Sequence, residues 1–495
     1  MSYYKKLEQH ARKLSRLNHL SAICGWDQAA MMPSGGNTAR SEALAELAVM
    51  KHDLATAEYL ANWYELAEKE ELSHDEKVSL NEMKRQWQQY TALPADLVEA
   101  QSLTGSQCEH AWRTQRANND WDGFKANLEK VVELSRKEAA ERAKITGTSK
   151  YNALVDLYEP GMTTETLDAI FSEVKTWLPE LIQKVQANQA QENIQIPQGP
   201  FLIEQQKALS IKAMEILNFD FNHGRIDIST HPFCGGVPTD VRITTRYDET
   251  DFSSALMGVI HETGHARYEQ GLPQTWRDLP VGEARSMGIH ESQSLFFEMQ
   301  LSRSTAFMAW LAPEIQSVFS RAGDASLSAE NLGKLTTRVK PGFIRVDADE
   351  VTYPAHVILR YEIERDLIEG NIEVADIPAL WQQKMAQYLG LDTTDNFKDG
   401  CMQDIHWTDG SFGYFPSYTL GAMYAAQFMA AIKREMDVDA LIEKHDLSPI
   451  FNWLDTNIWS KASTLSTDEL VRQATGESLN PRYFKEHLES RYLKN

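Results

Sequence analysis

The sequence has few cysteines, no long apolar run and no excess of basic charge. Its 495 residues include four cysteines, and no two of them form a C-x-x-C pair. Their number and spacing exclude a disulfide framework and favour a reducing compartment. No stretch approaches the roughly 20 uncharged apolar residues of a membrane helix, and the N-terminus lacks the apolar core of a signal peptide. We therefore expect a cytoplasmic protein with no membrane partner.

The charge balance is acidic. There are 49 Lys and Arg residues against 71 Asp and Glu residues, which gives a formal net charge of −22. Neutralising phosphates requires a basic surface, so this balance argues against nucleic acid as a partner. The length alone allows one to three domains, since about 150 residues per domain is only a soft prior.

Most of the chain has the periodicity of amphipathic helices. Between residues 164 and 185, apolar residues recur at steps of three and four, which predicts one buried helix face. Ser73 and Glu76 form a capping-box pattern at the start of another helix. Segment 186–199 is polar and predicts a surface linker. Alternating residues within 225–246 predict one short antiparallel β element, with a turn at Gly-Gly-Val-Pro. We predict a mainly α protein in which residues 1–495 form a single domain.

One five-residue motif indicates the chemistry, His261-Glu-Thr-Gly-His265. The surrounding residues contain no proline and predict a helix, on which positions i and i+4 share a face. Both imidazoles can therefore point at one ion. Glu262 lies one position round the helix, where the general base for a metal-activated water belongs. The motif predicts a zinc site, and the alternative is a chance match on an ordinary helix.

Two histidines hold an ion incompletely, so a third ligand must come from elsewhere. The extended H-E-x-x-H-x-x-G-x-x-H form is excluded, because position 268 is Tyr and position 271 is Gly. Glu291 lies in a helix-forming run that can pack against the first helix, which is the glutamate-zincin arrangement. The other candidates nearby in the sequence are Glu269, Glu283, His290 and Glu298.

Several further blocks resemble the carboxypeptidase Taq family of metallocarboxypeptidases. In order, they are His231-Pro-Phe233, Asp240-Val-Arg-Ile-Thr244, the zinc motif, His290-Glu-Ser-Gln293, Ile344-Arg-Val-Asp-Ala-Asp349 and Gly400-Cys-Met-Gln-Asp-Ile-His-Trp407. The segment from Glu350 to His356 also looks like the family's. The resemblance runs from about residue 5 to the end of the chain. Six ordered blocks are far more specific than the zinc motif alone.

The resemblance implies an elongated helical zincin fold with a deep substrate groove between two helical halves, similar to angiotensin-converting enzyme and thimet oligopeptidase. It implies a homodimer that removes C-terminal residues, with broad specificity, from peptides that have a free C-terminus. The implied metal ligands are His261, His265 and Glu291, and the implied base is Glu262. Zn²⁺ is the natural ion for this donor set, and Co²⁺ is the alternative.

Peptide hydrolysis also needs hydrogen-bond donors for the oxyanion. Tyr414 and Tyr418 resemble the tyrosines that related helical zinc peptidases place over the scissile carbonyl, and His406 is a candidate assistant. The alternative for each tyrosine is a buried aromatic ring with a satisfied hydroxyl.

A carboxypeptidase must also bind the free carboxylate of its substrate, and the planar fork of arginine matches a carboxylate. The resemblance favours Arg345, with Arg242 as the second candidate. Pairing of Arg345 with Asp347 or Asp349 is the structural alternative.

Other block residues have weaker assignments. His231 is a candidate for binding substrate backbone or a structural histidine beside a turn. Gln403, Asp404 and Trp407 are candidates for lining the groove and binding substrate or for supporting the site residues from behind, and Asp404 is in particular a candidate partner of a ligand imidazole. For the whole chain, the alternatives are an endo-oligopeptidase, which needs no carboxylate site, and a helical scaffold with a degenerate metal site.

Overall fold

The computed structural model of the protein describes residues 1–493, which contain twenty α-helices, one π-helix and three strands. The first helices are α1 (Tyr3–Ala30), α2 (Asn37–Ala55), α3 (Tyr59–Ala67), α4 (His74–Thr91), α5 (Ala95–Ala117), α6 (Trp121–Thr146) and α7 (Lys150–Val155). Next come α8 (Thr164–Gln189), α9 (Ile203–Ile216), α10 (Phe252–Gly271), α11 (Met287–Leu295), the π-helix (Phe296–Ser302), α12 (Thr305–Val318), α13 (Ala329–Thr336) and α14 (Tyr353–Glu369). The last helices are α15 (Ile377–Leu389), α16 (Pro416–Glu435), α17 (Val438–Glu443), α18 (Ser448–Asn457), α19 (Thr467–Thr475) and α20 (Arg482–Tyr492). Short 3₁₀ turns lie at Ser34–Gly36, Gln274–Trp276, Pro280–Gly282, Ala325–Leu327, Arg345–Asp347, Val374–Asp376 and Trp459–Lys461.

The helical periodicity in the sequence corresponds to buried faces. In α8, the predicted apolar stripe is buried: Leu167, Ile170, Phe171, Val174, Leu178 and Leu181. The capping box at the start of α4 is also confirmed, because the Glu76 amide donates to Ser73 Oγ and the Ser73 amide donates to the Glu76 carboxylate. Residues 190–202 connect α8 to α9 without regular structure. The linker predicted over 186–199 is therefore confirmed from residue 190 onwards, whereas residues 186–189 are the last turn of α8.

The β element is a three-stranded mixed sheet with the order β1-β3-β2. The strands are β1 (Gly224–Ile228), β2 (Phe233–Val237) and β3 (Asp240–Thr245). The pair β2–β3 is antiparallel, but β1 lies parallel to β3 on its other side. The prediction of a purely antiparallel element is therefore wrong for the pairing of β1 with β3.

The reason for this difference lies in the glycines. Gly235 and Gly236 belong to β2, so the turn of the hairpin falls at residues 238–239 instead. Gly236 has φ +95° and approaches the backbone of Asp240 so closely that a Cβ would lie 2.1 Å from its carbonyl oxygen. Both the end of β1 and the start of β2 lie beside the C-terminal end of β3. The short connection 229–232 can therefore cross β3, because two strand spacings amount to only about 10 Å.

Most buried apolar residues form one core that surrounds α11 and α16. α11 packs against α16 on one side and against α10 on the other. A smaller cluster joins α1, α3 and α4 to residues 279–281. Within residues 1–493, none of the helices is long and apolar enough to cross a membrane.

Candidate metal centre and active site

The His-Glu-x-x-His motif lies in the second half of α10. Asp251 caps this helix by accepting a hydrogen bond from the Ser253 amide at 2.9 Å. His261 and His265 share one face, with their ring centroids 5.0 Å apart. α10 therefore presents two imidazoles side by side, as the spacing predicts.

The third member of the cluster comes from α11. Glu291 Oε2 lies 3.4 Å from His265 Nε2. One ligand atom from each of His261, His265 and Glu291 lies within 4.8 Å of the other two. Among residues 1–493, this is the only such group of three His, Cys, Asp or Glu side chains. Two imidazole nitrogens and one carboxylate match the donor set of a catalytic zinc site, so these residues fit a divalent metal ion.

Two close helix contacts bring the three side chains together. At Gly264, inside the motif, a Cβ would lie 2.5 Å from the carbonyl oxygen of Gln293 in α11. At Gly421 in α16, a Cβ would lie 2.7 Å from both Cβ and Cγ of Glu291. Any larger residue at either position must push α11 away from its neighbours, so both glycines help to set where Glu291 lies.

His261 is oriented by a buried ion pair. Its Nδ1 lies 2.9 Å from Glu298 Oε2, and Arg303 Nη2 donates to Glu298 Oε1 at 2.6 Å. Burial alone would raise the pKa of Glu298, but the Arg303 charge and the bond to His261 hold it below its usual value. Because Nδ1 donates to this carboxylate, Nε2 of His261 is left to face the other two members of the cluster.

His265 is oriented by a series of hydrogen bonds through His290 to Glu269. Its Nδ1 lies 2.6 Å from Nδ1 of His290, and Nε2 of His290 lies 2.8 Å from Glu269 Oε1. Since the carboxylate accepts, Nε2 of His290 carries a proton, and in a neutral ring its Nδ1 accepts from His265. That arrangement leaves Nε2 of His265 unprotonated beside Glu291. Burial also lowers the pKa of His265, to about 4.

The other candidates for a third ligand therefore have different positions. Glu298, Glu269 and His290 support the two histidines and do not join the cluster. Glu283 lies in the segment before α11 and accepts a hydrogen bond from Gln86 Nε2 at 2.8 Å. The sequence spacing places Glu269 one helical turn after His265, but no local spacing relates Glu298 or His290 to the histidine that it supports.

Glu262 lies beside the cluster and is 9% exposed. Burial raises the pKa of its carboxyl group to about 7, the Glu291 and Glu298 charges act in the same direction, and His261 and His290 oppose them. A carboxylate with a pKa close to neutrality is well suited to take up and release a proton.

A wall of aromatic hydroxyls faces Glu291. Tyr418 Oη lies 3.2 Å from His406 Nε2, and the rings of Tyr414 and Tyr418 are 5.2 Å apart. Burial and the Glu291 charge raise the pKa of Tyr414, to about 12, so its hydroxyl keeps its proton at neutral pH. Burial lowers the pKa of His406 to about 4. Tyr353 belongs to the same wall. It lies in the family-like segment from Glu350 to His356, but the sequence assigned it no role.

Arg345 lies behind this wall, and its side chain is 6% exposed. Its Nε and Nη2 each lie 3.0 Å from Asp404 Oδ1, and Nη1 donates to Tyr353 Oη at 2.6 Å. Arg360 binds the second oxygen of Asp404 at 2.6 Å. Two arginines thus share one carboxylate, and this buried group has a net charge of +1.

These contacts correct several sequence-based expectations. Asp404 pairs with the two arginines and not with a ligand imidazole. Asp349 caps the turn before α14 by accepting from the Val351 and Thr352 amides, so it does not pair with Arg345. Gln403 accepts from the Arg345 amide at 2.7 Å and donates only to backbone carbonyls. It therefore holds Arg345 in place and has no amide hydrogen turned towards a substrate.

The remaining predicted residues lie on the β sheet. Arg242 in β3 makes a two-pronged ion pair with Asp240, at 2.6 and 2.9 Å, and stacks over Trp26. The Nε and Nη2 donors of Arg242 are therefore already bound by a carboxylate of the same strand. His231 is exposed in the connection between β1 and β2, where its carbonyl accepts from Ser229 Oγ at 2.6 Å.

Glu364 is a buried carboxylate to which the sequence assigned no role. It accepts from Trp407 Nε1 at 2.6 Å and from the Gly413 amide at 3.1 Å. These two bonds hold both ends of segment 407–413, which lies between His406 and Tyr414. Trp407 is consequently a core residue, 3% exposed, and does not line a groove.

A helix with His-Glu-x-x-His, packed against a second helix that supplies a glutamate, defines a metal-dependent peptide hydrolase. Comparison with known protein families shows which family of metal-dependent peptide hydrolases this is. The family model described as "Carboxypeptidase Taq (M32) metallopeptidase" matches residues 6–492, and the chain belongs to this family.

Individual relatives agree with this membership. Carboxypeptidase 1 of Bacillus subtilis is 34% identical over 495 residues, covering 99% of this chain and 98% of the relative. The solved structure of Trypanosoma cruzi metallocarboxypeptidase 1 has a TM-score of 0.98 and 47% identity, with 99% of both chains covered. The M32 carboxypeptidase from Deinococcus radiodurans has a TM-score of 0.94 and 30% identity, covering 99% of this chain and 98% of its own.

The protein is therefore a metallocarboxypeptidase, as the ordered blocks predict. The helical fold with one small sheet is confirmed as well. The endo-oligopeptidase alternative is not favoured, because the family and its relatives are carboxypeptidases.

Proposed function

We propose that this metallocarboxypeptidase removes the C-terminal residue of peptides with broad specificity, using a zinc ion held by His261, His265 and Glu291. The observation that carries the proposal is the pattern of hydrogen bonds around the histidines. Both Nδ1 atoms are engaged, by Glu298 and by His290, which leaves both Nε2 atoms for an ion, and Nε2 of His265 lies 3.4 Å from Glu291. Such outer partners are what oriented metal ligands require.

Zinc suits two imidazoles and one carboxylate, and Co²⁺ is the alternative ion. A divalent metal bound here would acidify a water molecule and polarise the scissile carbonyl. Metal analysis of the purified protein, followed by reconstitution of the chelated protein with each ion, identifies the metal. One zinc per chain with restored activity is the expected result.

Glu262 is the proposed general base. It takes a proton from the attacking water and delivers it to the nitrogen of the leaving amino acid. Its position next to His261 and its raised pKa, about 7, support this role.

Tyr414 and Tyr418 are the proposed donors to the oxyanion, with His406 as the residue that orients Tyr418. The hydrogen bond between His406 Nε2 and Tyr418 Oη, at 3.2 Å, supports this assignment. Tyr353 is a third candidate donor, because Arg345 donates to its oxygen and thereby leaves its own proton free to be donated.

Arg345 is the proposed residue that recognises the substrate carboxylate. Asp404 uses the Nε side of the guanidinium, and Tyr353 uses one hydrogen of Nη1. One N–H on each terminal nitrogen is left for a second carboxylate. The net charge of +1 on the Arg345–Asp404–Arg360 group supports attraction of an anion. Arg242 is less suited, since Asp240 already binds it, and His231 is retained as a candidate for backbone contact.

The test is digestion of a mixed peptide library in which each peptide has either a free or an amidated C-terminus. The expected products are stepwise C-terminal truncations, formed readily from the free peptides and only at a small residual rate from the amidated ones. Cleavage of amidated peptides at internal bonds would overturn the proposal and point to an endopeptidase.

We also propose that residues 1–495 form a single catalytic domain whose two helical halves flank a deep groove. We further propose that the protein is a cytoplasmic homodimer. The four unpaired cysteines support a reducing compartment. Light scattering during size-exclusion chromatography tests the dimer, and a mass near that of one chain would contradict it.

A further inference from the structure

The C-terminal helix α20 converges on two parts of the candidate site. Three of its side chains bind the carboxylate of Glu350. His487 Nε2 lies 2.7 Å from Oε1, while Tyr492 Oη at 2.8 Å and Arg491 Nη1 at 3.1 Å lie on Oε2. Glu350 follows Arg345 by five residues and precedes Tyr353 by three. α20 is thus tied to the segment that carries these two residues.

Arg491 also binds the π-helix. Its Nη1 donates to the carbonyl of Met299, and its Nη2 donates to the carbonyl of Gln300 at 3.3 Å. These are the two residues directly after Glu298, whose carboxylate orients His261. One guanidinium therefore links α20 to Glu350 and to the backbone that positions Glu298. π-Helical segments are rare and are enriched at functional sites.

Docking of α20 does not itself require these charges. Phe484, Leu488 and Tyr492 are buried in the main core and already attach the helix. Glu350 and Arg491 have side chains only 3% and 12% exposed. Burying such a pair costs solvation that its attraction barely offsets, so an ion pair here is weak evidence for stability. The guanidinium of Arg491 instead fixes the position of α20 relative to the π-helix and Glu350, because its planar group of N–H donors binds two carbonyls and a carboxylate at once.

We propose that Arg491 is a positioning residue for the metal centre, acting through the π-helix on Glu298 and through Glu298 on His261. The inference rests on the proposed metal ligands. Removing the guanidinium frees the carbonyls of Met299 and Gln300, lets Glu298 move away from Nδ1 of His261 and weakens the hold on the ion. A side chain of α20 would thereby contribute to a site on helices far earlier in the sequence.

The experiment compares Arg491→Gln with the matched control Arg482→Gln. Arg482 lies on the same helix, is exposed, pairs with the surface glutamates Glu477 and Glu486 and lies over the ring of Tyr483. Zinc affinity is measured on the full chain by competition with a chelator, and the melting temperature is measured on the metal-free protein. We expect Arg491→Gln to weaken zinc binding about tenfold, the lower end of the range for loss of an outer partner. Arg482→Gln should bind zinc like the wild type.

A double-mutant cycle then separates positioning from general destabilisation. Glu298→Gln should weaken zinc binding by itself, and adding Arg491→Gln to it should cost little more, since both changes act on the same bond. Additive losses would overturn the proposal, as would a lower melting temperature with unchanged zinc affinity. Should the wild-type protein bind no zinc, the proposed metal centre fails; should it bind zinc and Arg491→Gln bind equally well, only this inference fails.

Discussion

Gly421 in α16 lies directly against the side chain of Glu291, so closely that a Cβ at position 421 would be 2.7 Å from both its Cβ and its Cγ. Neither atom can retreat without moving the carboxylate. The absence of a side chain at one position on α16 is therefore part of what places the third member of the metal cluster.

Gly421→Ala should therefore displace Glu291. We expect zinc affinity to fall at least about tenfold, together with an overpacking cost of about 1–3 kcal/mol in the free energy of unfolding. Chelator competition and chemical denaturation measure the two effects. The control is Gly333→Ala in α13, where an added Cβ meets no atom within 4 Å. Wild-type zinc affinity in Gly421→Ala would show that Glu291 does not depend on this contact.

Glu262→Gln should retain the metal and lose turnover. The amide has the shape of the carboxylate but cannot take a proton from water, and loss of a general base typically costs a factor of about 10²–10⁴. The measurement is kcat together with metal content of the same preparation. Glu215→Gln, an exposed position on α9, is the control. Near-normal kcat at full metal content would remove Glu262 from the mechanism.

Arg345→Ala should discriminate between substrates. For peptides with a free C-terminus, we expect kcat/KM to fall on the order of 100-fold, the loss typical when one partner of a buried charge pair is truncated. The small residual rate on amidated peptides should change little. Arg472→Ala removes the arginine of an exposed ion pair with Asp468 and serves as the control. Equal losses on both substrate types would assign Arg345 to structure alone.

Glu159→Gln should change how stability depends on pH. Glu159 Oε1 accepts from Ser417 Oγ and from the Gly288 amide, whereas Oε2 has no partner, and burial raises the pKa of the group to about 7. Between the unfolded pKa of 4.5 and about 7, the native state holds a proton that the unfolded state has lost. Wild-type stability therefore falls as the pH rises through this window.

The glutamine keeps the accepting oxygen and does not titrate. We expect its stability relative to wild type to increase by about 3 kcal/mol between pH 4.5 and pH 7.5, from about 1.4 kcal/mol for each unit of pKa difference. Melting temperatures of the metal-free proteins across this range provide the measurement. A difference that does not vary with pH would mean that Glu159 is not protonated in the native state.

Local patterns predicted much of this protein correctly. The stripe of apolar residues on α8 and the capping box at Ser73 depend on neighbours three and four residues away, and both are found in the structure. The pairing of His261 with His265 depends on one turn of one helix. The order of the family blocks predicted the enzyme class, because a series of separate motifs in sequence is highly specific.

Contacts between segments that are distant in the sequence could not be predicted in this way. The local residues left the third ligand open among Glu269, Glu283, His290, Glu291 and Glu298, and only the family resemblance favoured Glu291. The structure separates them by which side chain reaches the cluster and which reaches a ring nitrogen behind it. Asp404 was assigned to an imidazole, yet it lies between two arginines, one of them 59 residues earlier in the chain. A carboxylate can pair with any cationic side chain that the fold brings close to it. The residues next to it in the sequence do not indicate which cation that is.

The pairing of the strands in the sheet also could not be predicted from local sequence. Alternation identified two of its strands, but the direction of β1 relative to β3 depended on whether Gly235 and Gly236 form a turn or a strand. The sequence by itself determined the helices, their buried faces, the metal-binding motif and the family, since each is encoded over short distances or by ordered motifs. Only the tertiary structure decided that Glu298 and His290 orient the histidines, that Asp404 engages Arg345, and that α20 reaches the π-helix. Those contacts depend on how helices pack across hundreds of residues, which no local pattern encodes.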